Sequence, residues 1–275
     1  MTDAVGAVRS RCSPDPSVCD ADQAPLVVTS RRAPTVSVVI PARNEAANLP
    51  HVLSLLPPGI DEVVLVDGHS VDDTVAVARA LRPDIRIIVQ DGAGKGNALA
   101  CGFAAAEGDN IVMLDADGSS DPREIPTFIA GLLEGHDFAK GSRYAPGGGS
   151  ADLTVLRAAG NRGLRMLVNA LFGTRYTDLC YGYNAFWRHC LDHIDITCDG
   201  FEVETLMNVR AFVAGLRVVE VPSVEGERIF GDSNLRALPD GMRVLRTILV
   251  EWVRMVSPPR RDRRATREPA VARRY

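Results

Sequence analysis

The chain has 275 residues, of which 46% are hydrophobic and 24% are charged, a composition typical of a globular protein with a sizeable core. Its net charge of −4 is divided between zero in residues 1–33, −9 in residues 34–256 and +5 in the Arg-rich residues 257–275. An acidic body argues against general nucleic-acid binding, and no apolar run approaches the roughly 18 residues of a membrane span.

The N-terminus and the cysteines indicate the cellular compartment. The N-terminus lacks the charged start and apolar centre of a signal peptide. None of the six cysteines belongs to a C-x-x-C pair, which argues against a zinc site and favours small core residues in a reducing compartment. We therefore expect a cytoplasmic protein.

Three segments differ in their sequence pattern. Residues 1–33 combine scattered prolines and charges without periodicity, and we expect them to be disordered. Residues 34–256 alternate strand-like and helix-like patterns and predict one folded domain. Residues 257–275 predict a solvated, disordered Arg-rich tail, which would add attraction to anionic lipid.

The first part of the domain alternates β-branched runs with helical patterns. The predicted strands are residues 35–40, 62–66, 85–89 and 111–114. Pro41 is predicted to end the first strand, and Ser70 with Asp73 to form a capping box before the second helix. This alternation with short links predicts an α/β domain with a mostly parallel sheet and helices on both faces.

Three of these strands end in a polar turn, at residues 41–45, 67–73 and 115–121. Ligands of open α/β sheets bind at the carboxyl ends of the strands, and parallel strands bring those ends to one edge. Asp115 and Asp117 therefore place two carboxylates where they can reach one cation. Oxygen ligands of this kind suit Mg²⁺ or Mn²⁺, which in turn bind phosphates. The alternative interpretation is an acidic turn that caps the next helix.

The second part predicts a less regular arrangement. In chain order it contains a strand at 137–144, a helix at 156–172, an aromatic turn-rich stretch at 173–200, a helix at 201–214, a strand at 216–221 and an amphipathic helix at 242–256. The apolar stripe of the last helix is predicted to consist of Leu245, Ile248, Leu249, Trp252 and Val256. We favour packing of this helix on the core over contact with a membrane surface.

A glycine-rich turn, Gly92 to Gly96, opens the third helix. It lacks the spacing of a dinucleotide fingerprint and the Ser or Thr of a Walker motif. Lys95 is interpreted as a phosphate contact, with a solvent-exposed lysine as the equal alternative. His69 is interpreted as capping a turn, with a metal ligand or base as the alternative.

With these residues identified, the chain resembles the family 2 glycosyltransferases of GT-A fold, and most of all the dolichyl/polyprenyl-phosphate mannose synthase group. The resemblance covers about residues 35–250. It rests on five segments in order, namely Val39–Glu45, Val64–Thr74, Leu114–Asp117, Gly141–Tyr144 and Arg228–Leu235. Three motifs differ from the usual pattern: Gly68 replaces an Asp, Asn234 replaces a Lys, and the segment Asp178–Asn184 replaces the usual Asp-x-Thr-Ser-Gly-Phe-Arg.

The resemblance implies roles at the matching positions. Pro41, Arg43, Glu45 and Asp67 are implied to line the base and ribose of the donor nucleotide, and Ser119 to assist beside the metal. Lys95, Asp115 and Ala116 complete the predicted donor-binding set. Asp115 and Asp117 are implied to hold Mg²⁺ or Mn²⁺ on the donor diphosphate. Arg143, Arg157 and Arg228 are implied to contact donor or acceptor phosphate.

The predicted function is inverting, metal-dependent transfer of a hexose from a nucleotide diphosphate sugar, of GDP-mannose or UDP-glucose type, to a polyprenyl phosphate. An acceptor hydroxyl is the alternative, and it would need a carboxylate base, for which Asp178, Glu202 and Glu204 are candidates. A nucleotidyltransferase and a non-catalytic nucleotide-sugar-binding subunit are further alternatives. The lipid acceptor would bring with it peripheral contact with the inner face of the membrane.

Overall fold

The structure, a computed structural model, describes residues 32–257. Its strands are Val36–Ala42 (β1), Glu62–Asp67 (β2), Arg86–Val89 (β3), Asn110–Met113 (β4), Phe138–Ser142 (β5), Gly149–Ser150 (β6), Asn184–Trp187 (β7), Val218–Pro222 (β8) and Val224–Glu225 (β9). Its α-helices are Leu49–Leu53 (α1), Thr74–Leu81 (α2), Lys95–Ala105 (α3), Ile125–Leu133 (α4), Val155–Phe172 (α5), Val203–Val213 (α6) and Ala237–Val256 (α7). The predicted disordered segments lie outside the described residues, apart from residues 32, 33 and 257.

In the part of the chain that is described, seven strands form a central sheet in the order β3-β2-β1-β4-β7-β5-β8. Only β7 runs antiparallel to its neighbours β4 and β5, and every other pairing in this sheet is parallel. The prediction of a mostly parallel sheet is therefore confirmed. Strands β6 and β9 form a separate two-stranded pair beside it.

Helices cover both faces of the central sheet because the strand side chains alternate between two cores. In β1, Val38 and Ile40 belong to the core under α1, α2 and α4, whereas Val39 belongs to the core under α3 and α6. A third cluster joins α5 and α7 to Val209 of α6. Helices α5 and α7 therefore pack together beside the sheet, next to the strand tips that carry the predicted site.

Two local predictions are wrong. Strand β1 continues through Pro41 to Ala42, which pairs with Asp67. Pairing of β1 with β4 stops at Val39, so the missing N–H of proline falls where the strand has a neighbour on one side only. The predicted capping box is absent at the start of α2, where Asp72 accepts hydrogen bonds from the backbone N–H and hydroxyl of Thr74.

The aromatic stretch contains a strand that the sequence pattern did not predict. Strand β7 is only four residues long and follows turns rich in tyrosine, so no alternating pattern marks it. The face of α7 also differs from the predicted stripe. Val244, Ile248 and Glu251 are its buried centre, whereas Leu249 and Val256 are exposed.

Candidate active site

Three strand tips meet at one edge of the sheet, as predicted. Strand β1 lies between β2 and β4, and all three run parallel. Leu114 donates its backbone N–H to Val39 at 3.1 Å, which keeps the end of β4 beside β1 up to the turn. The carboxylates that follow β4 and the polar turn after β1 therefore border one cleft of about 420 Å³, which we call the donor cleft.

The donor cleft contains most of the predicted nucleotide-binding residues. Its predicted lining residues are Pro41, Arg43, Glu45, Lys95, Asp115, Ala116, Asp117 and Arg228. Asp67 and Ser119 do not line it. Asp67 is buried and accepts a hydrogen bond from the backbone N–H of Ser70, while Ser119 lines the adjacent groove. His69 contacts the carbonyl of Gly92 at 3.2 Å, which is consistent with the turn-capping interpretation.

Asp115 is bound by a lysine from the neighbouring helix. Lys95, at the start of α3, places Nζ 2.7 Å from Asp115 Oδ1 and 2.8 Å from Glu204 Oε1. Burial disfavours the charged form of Lys95, but the two carboxylates outweigh it and raise the pKa of the amine. Burial raises the pKa of Glu204 in spite of Lys95. Lys95 is therefore a charged residue in the interior of the site, and the exposed-lysine alternative is wrong.

Gly182 makes this arrangement possible. A Cβ at Gly182 would lie 2.8 Å from both Asp115 Oδ2 and Lys95 Nζ, and 3.3 Å from Glu204 Oε1. Any side chain there would force the three charged groups apart. The start of α3, the start of α6 and the turn at Gly182 thus converge around the first carboxylate of the Asp-x-Asp motif.

Asp117 has a different set of partners. Its Oδ1 accepts hydrogen bonds from the backbone N–H and the hydroxyl of Ser119, at 3.0 and 2.8 Å. Its Oδ2 lies 3.3 Å from Nη1 of Arg228, and the other Nη of that arginine binds Glu45. Arg228 also donates from Nε to the carbonyl of Phe230 at 2.8 Å. The loop that carries Arg228 is therefore attached both to the end of β4 and to the turn after β1.

A second groove of about 390 Å³ adjoins the donor cleft and runs between the N-terminal halves of α5 and α7. We call it the α5–α7 groove. It shares Lys95, Asp115 and Asp117 with the donor cleft. Its apolar lining consists of Leu153, Leu156, Leu164, Leu235, Ala237, Leu238, Met242, Val244 and Leu245. A charged site thus opens directly into an apolar channel.

Two predicted phosphate-contacting arginines line the α5–α7 groove. Arg157 pairs with Asp152 at 3.1 Å and donates to the hydroxyl of Ser233, which borders both cavities. Arg143 is buried, and Glu225 lies 3.0 Å from its Nη1. Both arginines therefore line the groove that Lys95, Asp115 and Asp117 share with the donor cleft.

The candidate bases occupy distinct environments. Asp178 is fully buried and does not line either cavity. Glu204 lines the groove and is paired with Lys95. Glu202, just before α6, lies outside both linings, with Oε1 accepting from the backbone N–H of Gly200.

Several site residues were missed by the sequence analysis. Gln90 and Gly182 belong to the cavity linings, and Glu225 binds Arg143. Gln90 directly follows β3 just as Asp67 ends β2, so the rule that polar residues at strand tips face the ligand could have identified it. Glu225 and Gly182 carry no such local signal, because their importance arises from contacts with distant segments.

The metal-ligating side chains of this site suit a hard divalent cation whose remaining ligands come from a bound molecule. Asp115 and Asp117 supply carboxylate oxygens, which suit Mg²⁺ or Mn²⁺. Within residues 32–257, no three His, Cys, Asp or Glu side chains are grouped so that they could hold a metal by themselves. Phosphate oxygens of a bound ligand would complete such a site.

Comparison with known proteins identifies the family. The model of glycosyl transferase family 2 matches residues 37–194, and the chain belongs to this family. It is 32% identical over 214 residues to glycosyltransferase AglJ of Haloferax volcanii, covering 75% of this chain and 68% of AglJ. It is also 32% identical over 221 residues to the polyprenol monophosphomannose synthase of Mycolicibacterium smegmatis, covering 75% of this chain and 83% of that protein.

A solved structure agrees with the family assignment. Glucosyl-3-phosphoglycerate synthase from Mycobacterium tuberculosis, in complex with Mn²⁺, UDP-glucose and phosphoglyceric acid, has a TM-score of 0.63 and 27% identity, over 80% of each chain. The predicted GT-A fold and the assignment as a glycosyltransferase are thus confirmed. Two further H. volcanii glycosyltransferases are longer, and the chain spans only 39% and 56% of them. No helix among residues 32–257 is both long and apolar enough to cross a membrane.

Proposed function

We propose that the protein transfers a hexose from a nucleotide diphosphate sugar to a polyprenyl phosphate, with a divalent cation held at Asp115 and Asp117. The observation that carries this proposal is the junction of the two cavities. The donor cleft contains both carboxylates and Arg228, and it opens into a groove that is lined by six leucines together with Arg143 and Arg157. A ligand with an anionic head and an apolar chain matches both parts.

The donor end suits a nucleotide diphosphate. Arg43, Glu45 and Gln90 surround the part of the cleft at the tips of β1 and β3, where hydrogen bonds to a base and ribose would form. A divalent cation bound at Asp115 and Asp117 would neutralise the negative charge that develops on the diphosphate leaving group. The M. tuberculosis neighbour, crystallised with Mn²⁺ and UDP-glucose, supports this assignment.

The acceptor end suits a phosphate attached to an apolar chain. Arg143 and Arg157 would bind the acceptor phosphate by charge-assisted hydrogen bonds. A phosphate is already anionic and needs no general base, so in-line attack on the anomeric carbon, with inversion, would require only that these arginines orient it. The resemblance to polyprenol monophosphomannose synthase supports a lipid of this kind.

The outer side of the α5–α7 groove would meet the membrane surface. Leu156, Leu238 and Met242 line the groove and yet are 59%, 73% and 64% exposed. Arg243 and Arg246 stand beside them, also exposed. An exposed apolar stripe with basic neighbours is typical of helices that lie in the interface of anionic membranes. Peripheral contact would let a polyprenyl chain enter the groove without leaving the bilayer.

A second candidate acceptor is a small phosphorylated hydroxy compound. The M. tuberculosis neighbour contains phosphoglyceric acid, and Glu204 supplies a carboxylate in the groove. Glu204 is already bound to Lys95, however, so its carboxylate is engaged with that amine instead of being free to contact an acceptor hydroxyl. Family membership favours either acceptor over a nucleotidyltransferase or a non-catalytic binding subunit.

The two acceptors are separated by a partition assay. The protein is incubated with Mn²⁺, labelled UDP-glucose or GDP-mannose, and either polyprenyl phosphate in vesicles or phosphoglycerate in solution. We expect label in the organic phase with polyprenyl phosphate and no water-soluble product with phosphoglycerate. Labelled product that appears only with phosphoglycerate would show that the acceptor is the small molecule and not the lipid. The absence of labelled product with either acceptor would contradict both candidates.

A further inference from the structure

Each carboxylate of the Asp-x-Asp motif is bound to a cation that belongs to the protein itself. Asp115 is bound to Lys95, with Nζ within 2.7 Å of Oδ1 and 2.9 Å of Oδ2. Asp117 is bound to Arg228, with Nη1 at 3.3 Å from Oδ2. These two contacts, which we call the cation pairs, occupy the oxygens that a divalent cation would need.

The cation pairs also connect to two further carboxylates. Lys95 binds Glu204, and Arg228 binds Glu45. The side chains of Lys95 and Arg228 are only 12% and 15% exposed, so water screens these interactions weakly. The local balance is therefore four carboxylates against two cations. A divalent cation without a nucleotide is attracted by the excess negative charge, but to bind Asp115 and Asp117 it must displace the side chains of Lys95 and Arg228.

We propose that Lys95 and Arg228 make metal binding conditional on the nucleotide, by exchanging partners when the donor binds. On its own, the metal competes with Lys95 and Arg228 for Asp115 and Asp117. A metal that arrives with a diphosphate brings phosphate oxygens, to which the displaced amine and guanidinium can bind. Each lost cation–carboxylate contact is then replaced by a cation–phosphate contact, so the exchange costs little electrostatic energy. This inference rests on the proposed nucleotide-sugar and metal use.

The positions of the two cations support this exchange. Lys95 lies at the start of α3, and both cations line the donor cleft as well as bordering its carboxylates. Arg228 sits on a loop attached to α1 through Asn48, which binds the backbone N–H of Phe230 at 2.9 Å and its carbonyl at 3.1 Å. That loop therefore keeps its anchorage when Arg228 turns from Asp117 to a phosphate, since these contacts do not involve the guanidinium.

Two variants test the proposal. Arg228→Met removes the cation from Asp117. Lys95→Met combined with Glu204→Gln removes the cation from Asp115 without leaving a buried carboxylate unpaired. Arg123→Met is the matched control, because Arg123 is 69% exposed and pairs with Asp121. Thermal unfolding of each variant checks that it is folded.

The readouts are Mn²⁺ binding without nucleotide, from the free-ion signal in electron paramagnetic resonance, and binding of UDP or GDP in saturating Mn²⁺, from calorimetry. We expect both test variants to bind Mn²⁺ alone about fivefold more tightly than the wild type, and the nucleotide at least about fivefold more weakly. The control should change neither. If the substitutions only disturbed the site, binding of Mn²⁺ and binding of nucleotide would both become weaker. That result, or unchanged Mn²⁺ binding, would overturn the proposed exchange. A wild type that binds neither nucleotide in Mn²⁺ would instead contradict the proposed function.

Discussion

The guanidinium of Arg143 and the carboxylate of Asp178 form a two-point contact in the interior, with Nε 2.7 Å from Oδ2 and Nη2 3.0 Å from Oδ1. Asn161 donates to the same Oδ1 at 2.9 Å. Burial would raise the pKa of Asp178, but Arg143 outweighs it and lowers the pKa. A carboxylate so enclosed and so acidic orients Arg143 toward the groove, and its geometry does not suit a general base.

Asp178→Asn should therefore destabilise the fold, by about 3–5 kcal/mol, because buried Arg143 would lose the negative charge of its fully buried partner and retain only Glu225. The pKa of Asp178 is lower in the folded chain than its ordinary value near 3.8, so its stabilisation is present above that value and is lost as the pH falls through the folded pKa. The free energy of unfolding, measured in guanidinium chloride, should differ fully between variant and wild type at pH 7, and this difference should narrow below about pH 4. Asp84→Asn, at an exposed ion pair, should change stability by less than about 1 kcal/mol.

Arg157→Gln tests the assignment of the acceptor phosphate. We expect the KM for polyprenyl phosphate to rise about tenfold, since one charge-assisted contact would be lost, while the KM for the nucleotide sugar stays the same. Initial rates with each substrate varied in turn give both constants. Arg162→Gln, an exposed position on the same helix, is the control. A rise in the KM for the nucleotide sugar alone would indicate that Arg157 contacts the donor and not the acceptor phosphate.

Gly182→Ala tests the convergence on Asp115. The added Cβ would come within 2.8 Å of both Asp115 Oδ2 and Lys95 Nζ, so these groups must shift. We expect kcat to fall about tenfold or more, because small displacements of catalytic groups are costly. Gly163→Ala adds a methyl group in open space on α5 and should leave kcat unchanged. Equal kcat values for the two variants would show that catalysis does not depend on the present position of Asp115.

Leu238→Glu combined with Met242→Glu tests the membrane-facing role of α7. Both side chains are exposed, so the substitutions should not unfold the chain, but they would place negative charge against an anionic surface. We expect co-sedimentation with vesicles of anionic lipid to weaken about tenfold or more. Leu81→Glu, an exposed position on α2, should not change it. Undiminished vesicle binding by the α7 variant would contradict this interface.

The parts of the fold that depend on local pattern could be predicted from the sequence. Strands β1 to β4 are apolar runs rich in β-branched residues, and three of them lead into polar turns, so their parallel direction and the common edge of those turns could be predicted. Lys95 could be suggested as a ligand contact because it opens a helix near that edge. Its pairing with Glu204, more than a hundred residues away, could not, since nothing local encodes it.

Other features depend on tertiary contacts in the same way. Asp178 was one of three candidate bases between which the sequence could not choose, and its burial against Arg143 and Asn161 is decided by the packing of α5 on the 173–183 turns. The predicted stripe of α7 was right at Ile248 and Trp252 but included the exposed Leu249 and Val256, because hydropathy alone does not separate apolar positions that face a core from those that face outward. In both cases tertiary contacts decide the outcome.

The most direct test of the central claim is transfer of labelled sugar to polyprenyl phosphate by wild type and Asp117→Asn, each in Mn²⁺ and in EDTA. The account predicts product from the wild type in Mn²⁺ and none in EDTA. It predicts that kcat of the variant in Mn²⁺ is reduced at least about 100-fold, because the cation that stabilises the leaving diphosphate would lose a ligand. Transfer that proceeds at the wild-type rate in Asp117→Asn and in the presence of EDTA would contradict it.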